Sequence, residues 1–244
     1  MRVRGVHAEW TKARTVPGTA WLLFGVVALT VLLGALASGA MPEGGDPAKS
    51  AFMGVTLGQA VVAILAVATV SGEYGTGMIR TTFTALPRRL NVLAAKGLVV
   101  AAMTIAAGTA AVLASAAMGD ALLPNGLSLA AGPILRAATG SVLYLTLIAL
   151  LSVGVAALVR DAATATGVVL GLLYLTPIVT SLVADPDWYA RLQKLSPMTA
   201  GLAVQATINL DQQPISPWQG LGVLALWAAG ALLAGAATLR LRDA

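Results

Sequence analysis

Charged residues divide this chain into long apolar blocks. Uncharged runs lie at 15–42, 50–72, 97–119, 137–159, 162–184 and 212–239, and the middle four are each 23 residues long. A helix needs about 20 apolar residues to cross a hydrocarbon core of about 30 Å. The pattern therefore predicts six membrane-spanning helices, near 20–38, 51–70, 92–118, 137–159, 162–183 and 219–239. Transmembrane strands would appear as alternating segments of about 9–11 residues, and the sequence has no such alternation. The expected fold class is an all-α membrane protein with six transmembrane helices.

The segments between the blocks have patterns of their own. In the leader, residues 1–19, Val6, Trp10 and Ala13 recur at i, i+4 and i+7, while His7, Glu9, Lys12 and Arg14 occupy other faces. This predicts an interfacial helix on the inner leaflet with Trp10 at headgroup depth, broken by Pro17-Gly18 before the first span. Between the second and third blocks runs SGEYGTGMIRTTFTALPRRLNVLAAK (71–96), in which Ile79, Phe83 and Leu86 again fall at helical spacing. Arg80, Thr81, Thr84 and Arg88 lie elsewhere around that helix, Gly72, Gly75 and Gly77 loosen its entry, and Pro87 marks its end. An apolar ridge on a short helix can insert into a groove of a soluble partner, or sink Ile79 and Phe83 into lipid. The Arg160-Asp161 junction between the fourth and fifth blocks is too tight for a docking element. The longest outer loop, 184–217, holds a helical-looking piece from Trp188 to Leu195, and the tail, 240–244, is short.

Charge sets the expected orientation. With the N-terminus inside, eleven Lys and Arg fall on the cytoplasmic side (Arg2, Arg4, Lys12, Arg14, Arg80, Arg88, Arg89, Lys96, Arg160, Arg240 and Arg242). Four fall outside (Lys49, Arg136, Arg191 and Lys194), a positive-inside asymmetry that predicts cytoplasmic termini. The formal net charge of +5 then reads as a topology signal rather than as a nucleic-acid footprint. Ala35-Leu36-Ala37 resembles a signal-peptide cleavage site, but the apolar run exceeds the usual 7–15 residues and a leader precedes it.

Composition narrows the chemistry. Only 10% of residues are charged and 58% are hydrophobic, against about 25% charged in soluble domains. Without cysteine there is no disulfide or thiolate metal site, and the single histidine, His7, lies outside every predicted span. No catalytic residue and no metal site is expected. The predicted span interiors hold no Asp, Glu, Lys, Arg or His, which argues against proton coupling strongly and against sodium coupling less so. There is no GxxxxGK[ST] phosphate loop, so uphill transport would draw its energy from a partner. Gln59, Tyr174, Thr176 and Thr180 are neutral polar groups inside the spans that either line a substrate path or hydrogen-bond between helices. Pro177 is placed to kink the fifth span, and Gly167 and Gly171 form a GxxxG.

Two stretches, EWTKARTVPGTAWLL (9–23) and GEYGTGMIRTTFTALPRRLNVLAAK (72–96), resemble the membrane subunits of bacterial ABC-2 type exporters. SPMTAGLAV (196–204) in the last outer loop also fits that family. The resemblance implies a multi-pass permease of the bacterial inner (plasma) membrane that moves an amphipathic or hydrophobic cargo (drug, peptide or lipid) outward. It implies pairing with a second permease, as a homodimer, and with two copies of a separate ABC ATPase subunit. ATP and Mg would sit on that partner and no cofactor on this chain. The segment from about Gly75 to Pro87 then looks like the coupling helix, with Glu73, Tyr74, Gly75, Thr76, Ile79, Arg80, Phe83, Leu86, Pro87, Arg88 and Arg89 as the ATPase-coupling residues. Glu73 would anchor that helix, or act as an ordinary headgroup-level charge. Arg88 and Arg89 would contact the ATPase, or serve as positive-inside determinants near anionic lipid. Glu9, Trp10, Lys12 and Arg14 would belong to a connecting helix, and Lys96 is expected to snorkel from the start of span three. The alternative from another class is a non-transporting membrane scaffold or immunity protein.

Overall fold

The computed structural model describes residues 2–75, 78, 89–123 and 126–241. All regular structure among them is helical, and six helices are long and apolar enough to cross a membrane. The protein is a multi-pass helical membrane protein. The spans are Pro17–Gly39, Val55–Gly75, Arg89–Leu122, Gly132–Val159, Ala162–Ser181 and Pro217–Leu241, called spans one to six below. In lipid each backbone polar group must be satisfied within its own segment, which is why apolar length alone locates these helices.

Their ends depart from expectation in ways that proline explains. The break between leader and span one falls at Pro17 as expected, but Pro17-Gly18 belongs to the span. The leader helix, Arg2–Thr15, stops at Val16, whose extended backbone suits a residue before proline. Pro17 then opens span one, where its missing N–H is harmless. Gly132-Pro133 likewise starts span four, five residues earlier than its charge boundary suggests. Span two begins late because Pro47–Ala51 forms a separate short helix, followed by turns at 52–54. It then runs on through Glu73 to Gly75.

Span five is not uniform. It is α-helical over Ala162–Leu170, a π turn over Gly171–Leu175, and α-helical again over Thr176–Ser181. The Pro177 ring would clash with the carbonyl four residues back, that of Leu173. The wider π turn sits around that carbonyl, so the proline acts here by changing helix type.

Span four is the central helix and packs against spans two, three, five and six. Its closest approach is to span six. A Cβ added at Gly154 would come 2.5 Å from the Leu232 amide nitrogen, and one at Gly235 would come 2.7 Å from the Gly154 carbonyl oxygen. Because lipid is as apolar as leucine, helix association in membranes depends on such close backbone contact. Gly167 and Gly171, by contrast, have nothing within 4 Å of an added Cβ.

Candidate functional site

At the end of the bundle that carries the leader, four charged side chains close into a ring. Lys12 and Glu9 stand one turn apart on the leader helix, with Nζ 3.0 Å from Oε1. The Glu9 Oε2 lies 2.9 Å from Lys96 Nζ, in the second turn of span three. Lys96 in turn lies 2.8 Å from Glu73 Oε1, in the last turn of span two, and that oxygen is 2.7 Å from Lys12 Nζ. Among the described residues each of these charges touches two of opposite sign, and the four sum to zero.

The ring is largely shut away from solvent. Side-chain exposure is 3% for Glu9 and Lys96 and 8% for Glu73, against 37% for Lys12. Buried ions keep their charge only when paired and hydrogen-bonded, and Lys96 also donates to the Thr69 carbonyl at 3.1 Å. Burial acts to lower the Lys12 pKa, but hydrogen bonds to the Glu73 and Glu9 carboxylates outweigh it and hold the ammonium above the ordinary lysine value. The local sequence builds this arrangement simply. Val6 and Ala13 pack against the core and turn Glu9 inward between them, while Trp10 (39% exposed) and Arg14 face outward.

Contrary to the sequence expectation, Lys96 does not snorkel toward a headgroup but bonds within the ring. Of the two readings of Glu73, its burial disfavours the ordinary headgroup-level charge. The leader presents a buried acid to spans two and three, rather than a purely apolar face to lipid. Tyr74 packs partly on the core, with the Arg160 guanidinium 5.6 Å from its ring centroid. Arg160, in the left-handed conformation that ends span four, also donates to the Thr238 carbonyl at 3.2 Å. The Arg160-Asp161 junction thus ties the ends of spans two, four and six together.

Gly75 ends span two, exposed, and Arg89 opens span three. Thr76, Ile79, Arg80, Phe83, Leu86, Pro87 and Arg88 lie outside the described residues, so the expected coupling helix is known here only by its two roots. Those roots are the residues next to Glu73 and seven positions before Lys96.

A second polar group sits inside the bundle. Gln59 of span two is fully buried and accepts a hydrogen bond from the Tyr144 hydroxyl of span four. Tyr174, in the π turn of span five, donates to the Thr56 carbonyl, one turn of span two from Gln59. Gln59 and Tyr174 are thus drawn to one place, and Tyr144 joins them. Thr176 and Thr180 instead bond their own helix, to the Leu172 and Pro177 carbonyls at 2.7 and 2.8 Å.

Above Tyr144 the last outer loop turns back into the bundle. The amphipathic helix Pro186–Leu195 buries none of its residues, whereas Pro197, Ala200 and Gly201 of the next helix, Pro197–Leu202, are buried. A Cβ at Gly201 would lie 2.6 Å from the Tyr144 ring. Gln205 then donates to Ser141 Oγ at 3.0 Å, and Asp46 accepts from the Thr207 and Ile208 amides at 2.6 and 3.2 Å. Asp46 also caps the helix Pro47–Ala51. The SPMTAGLAV stretch therefore packs over the Tyr144 ring, beside the Gln59–Tyr144 contact.

Sequence reasoning missed Lys96 as a ring member, Tyr144, Arg160 and Asp46. The available signal for the ring was that two acids and two lysines recur at the ends of neighbouring apolar blocks. No protein-family model matches the chain, and no curated protein matches it, so its membership rests at the level that fold and hydropathy establish: a helical membrane protein with six candidate spans.

Proposed function

We propose that this chain is the membrane subunit of an ATP-driven exporter of the ABC-2 type, seated in a bacterial plasma membrane. It works as one of two permeases beside two copies of a separate ATPase that holds ATP and Mg. The observation that carries this reading is the closed ring at the root of the segment between spans two and three. A short segment gripped by a soluble motor moves the membrane only if its ends are stiffly joined to the spans. The ring joins both ends to each other and to the leader helix, with Lys96 and Glu73 in direct contact.

Motion of the segment would then be delivered to span two, and through it to the Gln59–Tyr144–Tyr174 group and the π turn of span five. Alternating access follows if that movement repacks spans two and five and draws residues 196–204 away from Tyr144. Away from the ring and the far ends of the helices the spans carry no charge, with uncharged stretches at 50–72, 97–119, 137–159 and 162–184, which suits an amphipathic or hydrophobic cargo. The chain makes no covalent bond in this scheme; it converts movement into changed affinity.

Affinity purification of the tagged chain from its native membrane, followed by mass spectrometry, tests the proposal. An ABC-type ATPase recovered in about equal amount is the expected outcome. Ile79→Asp combined with Phe83→Asp should abolish that recovery while leaving membrane insertion intact. Recovery of this chain alone, in detergent gentle enough to keep known complexes, overturns the proposal in favour of a non-transporting scaffold.

A further inference from the structure

Spans three, four and six do not close fully against one another. Between them lies an apolar groove of 460 Å³, open on its lipid side, with walls that include Leu90, Gly97, Ala101, Leu150, Leu232 and Ala236. Gly97 forms part of its floor, where an added Cβ would meet Leu150 Cδ2 at 3.6 Å. Leu98 and Leu233 stand at its rims, 59% and 72% exposed. Along span three the groove extends from Leu90 to Ala101, a rise of about 16 Å at 1.5 Å per residue. That is about half of a 30 Å hydrocarbon core, the depth of one leaflet.

The groove opens at the end of the bundle that holds the charge ring. Arg240 lies one helical turn beyond Ala236 and two beyond Leu233, on the same stripe of span six. Helical side chains lean toward the N-terminal end of their helix, which from Arg240 is the direction of the groove. Arg240 is exposed, and among the described residues it has no acidic partner.

We propose that this groove is a binding site for one anionic phospholipid of the adjoining leaflet, an acyl chain lying along Gly97 and a headgroup phosphate meeting Arg240. The apolar walls exclude a polar ligand, and the length excludes a chain that crosses both leaflets. The site is separate from the Gln59–Tyr144–Tyr174 group and does not depend on the transport reading.

The full chain, purified in mild detergent and stripped of lipid, is mixed with phosphatidylglycerol or phosphatidylcholine of the same acyl composition and weighed by native mass spectrometry. The wild type should retain one phosphatidylglycerol per chain. It should prefer this lipid to phosphatidylcholine by about fivefold, the ratio given by about 1 kcal/mol per basic residue at an anionic surface. Arg240→Gln should erase the preference. Gly97→Phe should lower retention of both lipids by about tenfold, equivalent to about 1.4 kcal/mol. Ala101→Phe, at the far end, should do the same if Gly97→Phe fails to fold, and Leu32→Phe on exposed span one should change nothing. Monodisperse Gly97→Phe or Ala101→Phe protein that retains phosphatidylglycerol like the wild type overturns the acyl site. Equal retention of the two lipids by the wild type overturns the headgroup contact.

Discussion

The Lys96 ammonium lies 2.9 Å from the Glu9 carboxylate, though the residues are 87 positions apart and each side chain is 3% exposed. Removing either partner leaves the ring with an unbalanced charge and the other partner with one opposite neighbour in place of two, Glu73 for Lys96 or Lys12 for Glu9. Replacing one member of a buried pair costs about 3–5 kcal/mol, whereas replacing both by apolar groups is often neutral. Lys96→Met or Glu9→Met alone should therefore sharply lower thermal stability in detergent. The double substitution should recover most of it. Losses that simply add would show that the two charges do not act together.

Glu73 accepts from both lysines, so Glu73→Gln keeps the side-chain shape and removes the charge that balances them. If the chain works with an ATPase as proposed, this should leave ATP hydrolysis in place while export falls. Hydrolysis and export falling in proportion would point to lost assembly instead. Export at the wild-type rate would remove Glu73 from the coupling route.

The Lys12 pKa stands above its ordinary value. A base whose pKa is higher folded than unfolded stabilises the fold fully below its unfolded value, about 10.4 for lysine. That contribution is lost as pH rises through the folded value. The stability difference between the wild type and Lys12→Met should be constant through neutral pH and shrink only in the alkaline range. A difference that instead disappeared on acidification toward pH 6 would contradict the ring geometry at Lys12. Melting curves at a series of pH values measure it.

Spans four and six meet through Gly154 and Gly235 with no room for a side chain. Gly154→Val should destabilise the fold by at least the roughly 1–3 kcal/mol typical of overpacking, read as loss of monodisperse protein. Gly167→Val enters open space and should leave the monomer unchanged. If it nevertheless weakens association of two copies in a crosslinking assay, the GxxxG face of span five is where they meet.

Tyr144→Phe removes the hydroxyl that Gln59 accepts while keeping the ring under Gly201. Interhelical hydrogen bonds in membranes average about 0.6 kcal/mol, so the loss in melting temperature should be small. Under the proposed function, any larger change should appear in which cargoes are exported. A transport profile identical to the wild type would make the contact purely structural.

The six helices and their approximate places were legible from the spacing of charges, because a chain in lipid satisfies its backbone within each helix and the requirement is local. That Pro177 would disturb span five was legible from its ring and missing N–H, although the π turn at Gly171–Leu175 was not. Gln59 and Tyr174 stood out as polar residues in apolar runs. Nothing in the linear pattern distinguished them from Thr176, whose hydroxyl bonds its own helix, or showed Tyr144 as their neighbour.

The sequence by itself determined that this is a six-span helical protein with its basic residues concentrated toward one side. Hydropathy and charge act residue by residue against a slab of fixed thickness, so their outcome can be read without knowing any contact. Only the tertiary structure decided that Glu9, Lys12, Glu73 and Lys96 form one ring and that residues 196–204 pack over Tyr144. It also decided that spans three, four and six leave a groove. A charge at the end of an apolar block looks the same in sequence whether it is solvated or buried. Which it becomes depends on the rotation of each helix against its neighbours, and that is set by packing at positions such as Gly154 and Gly235.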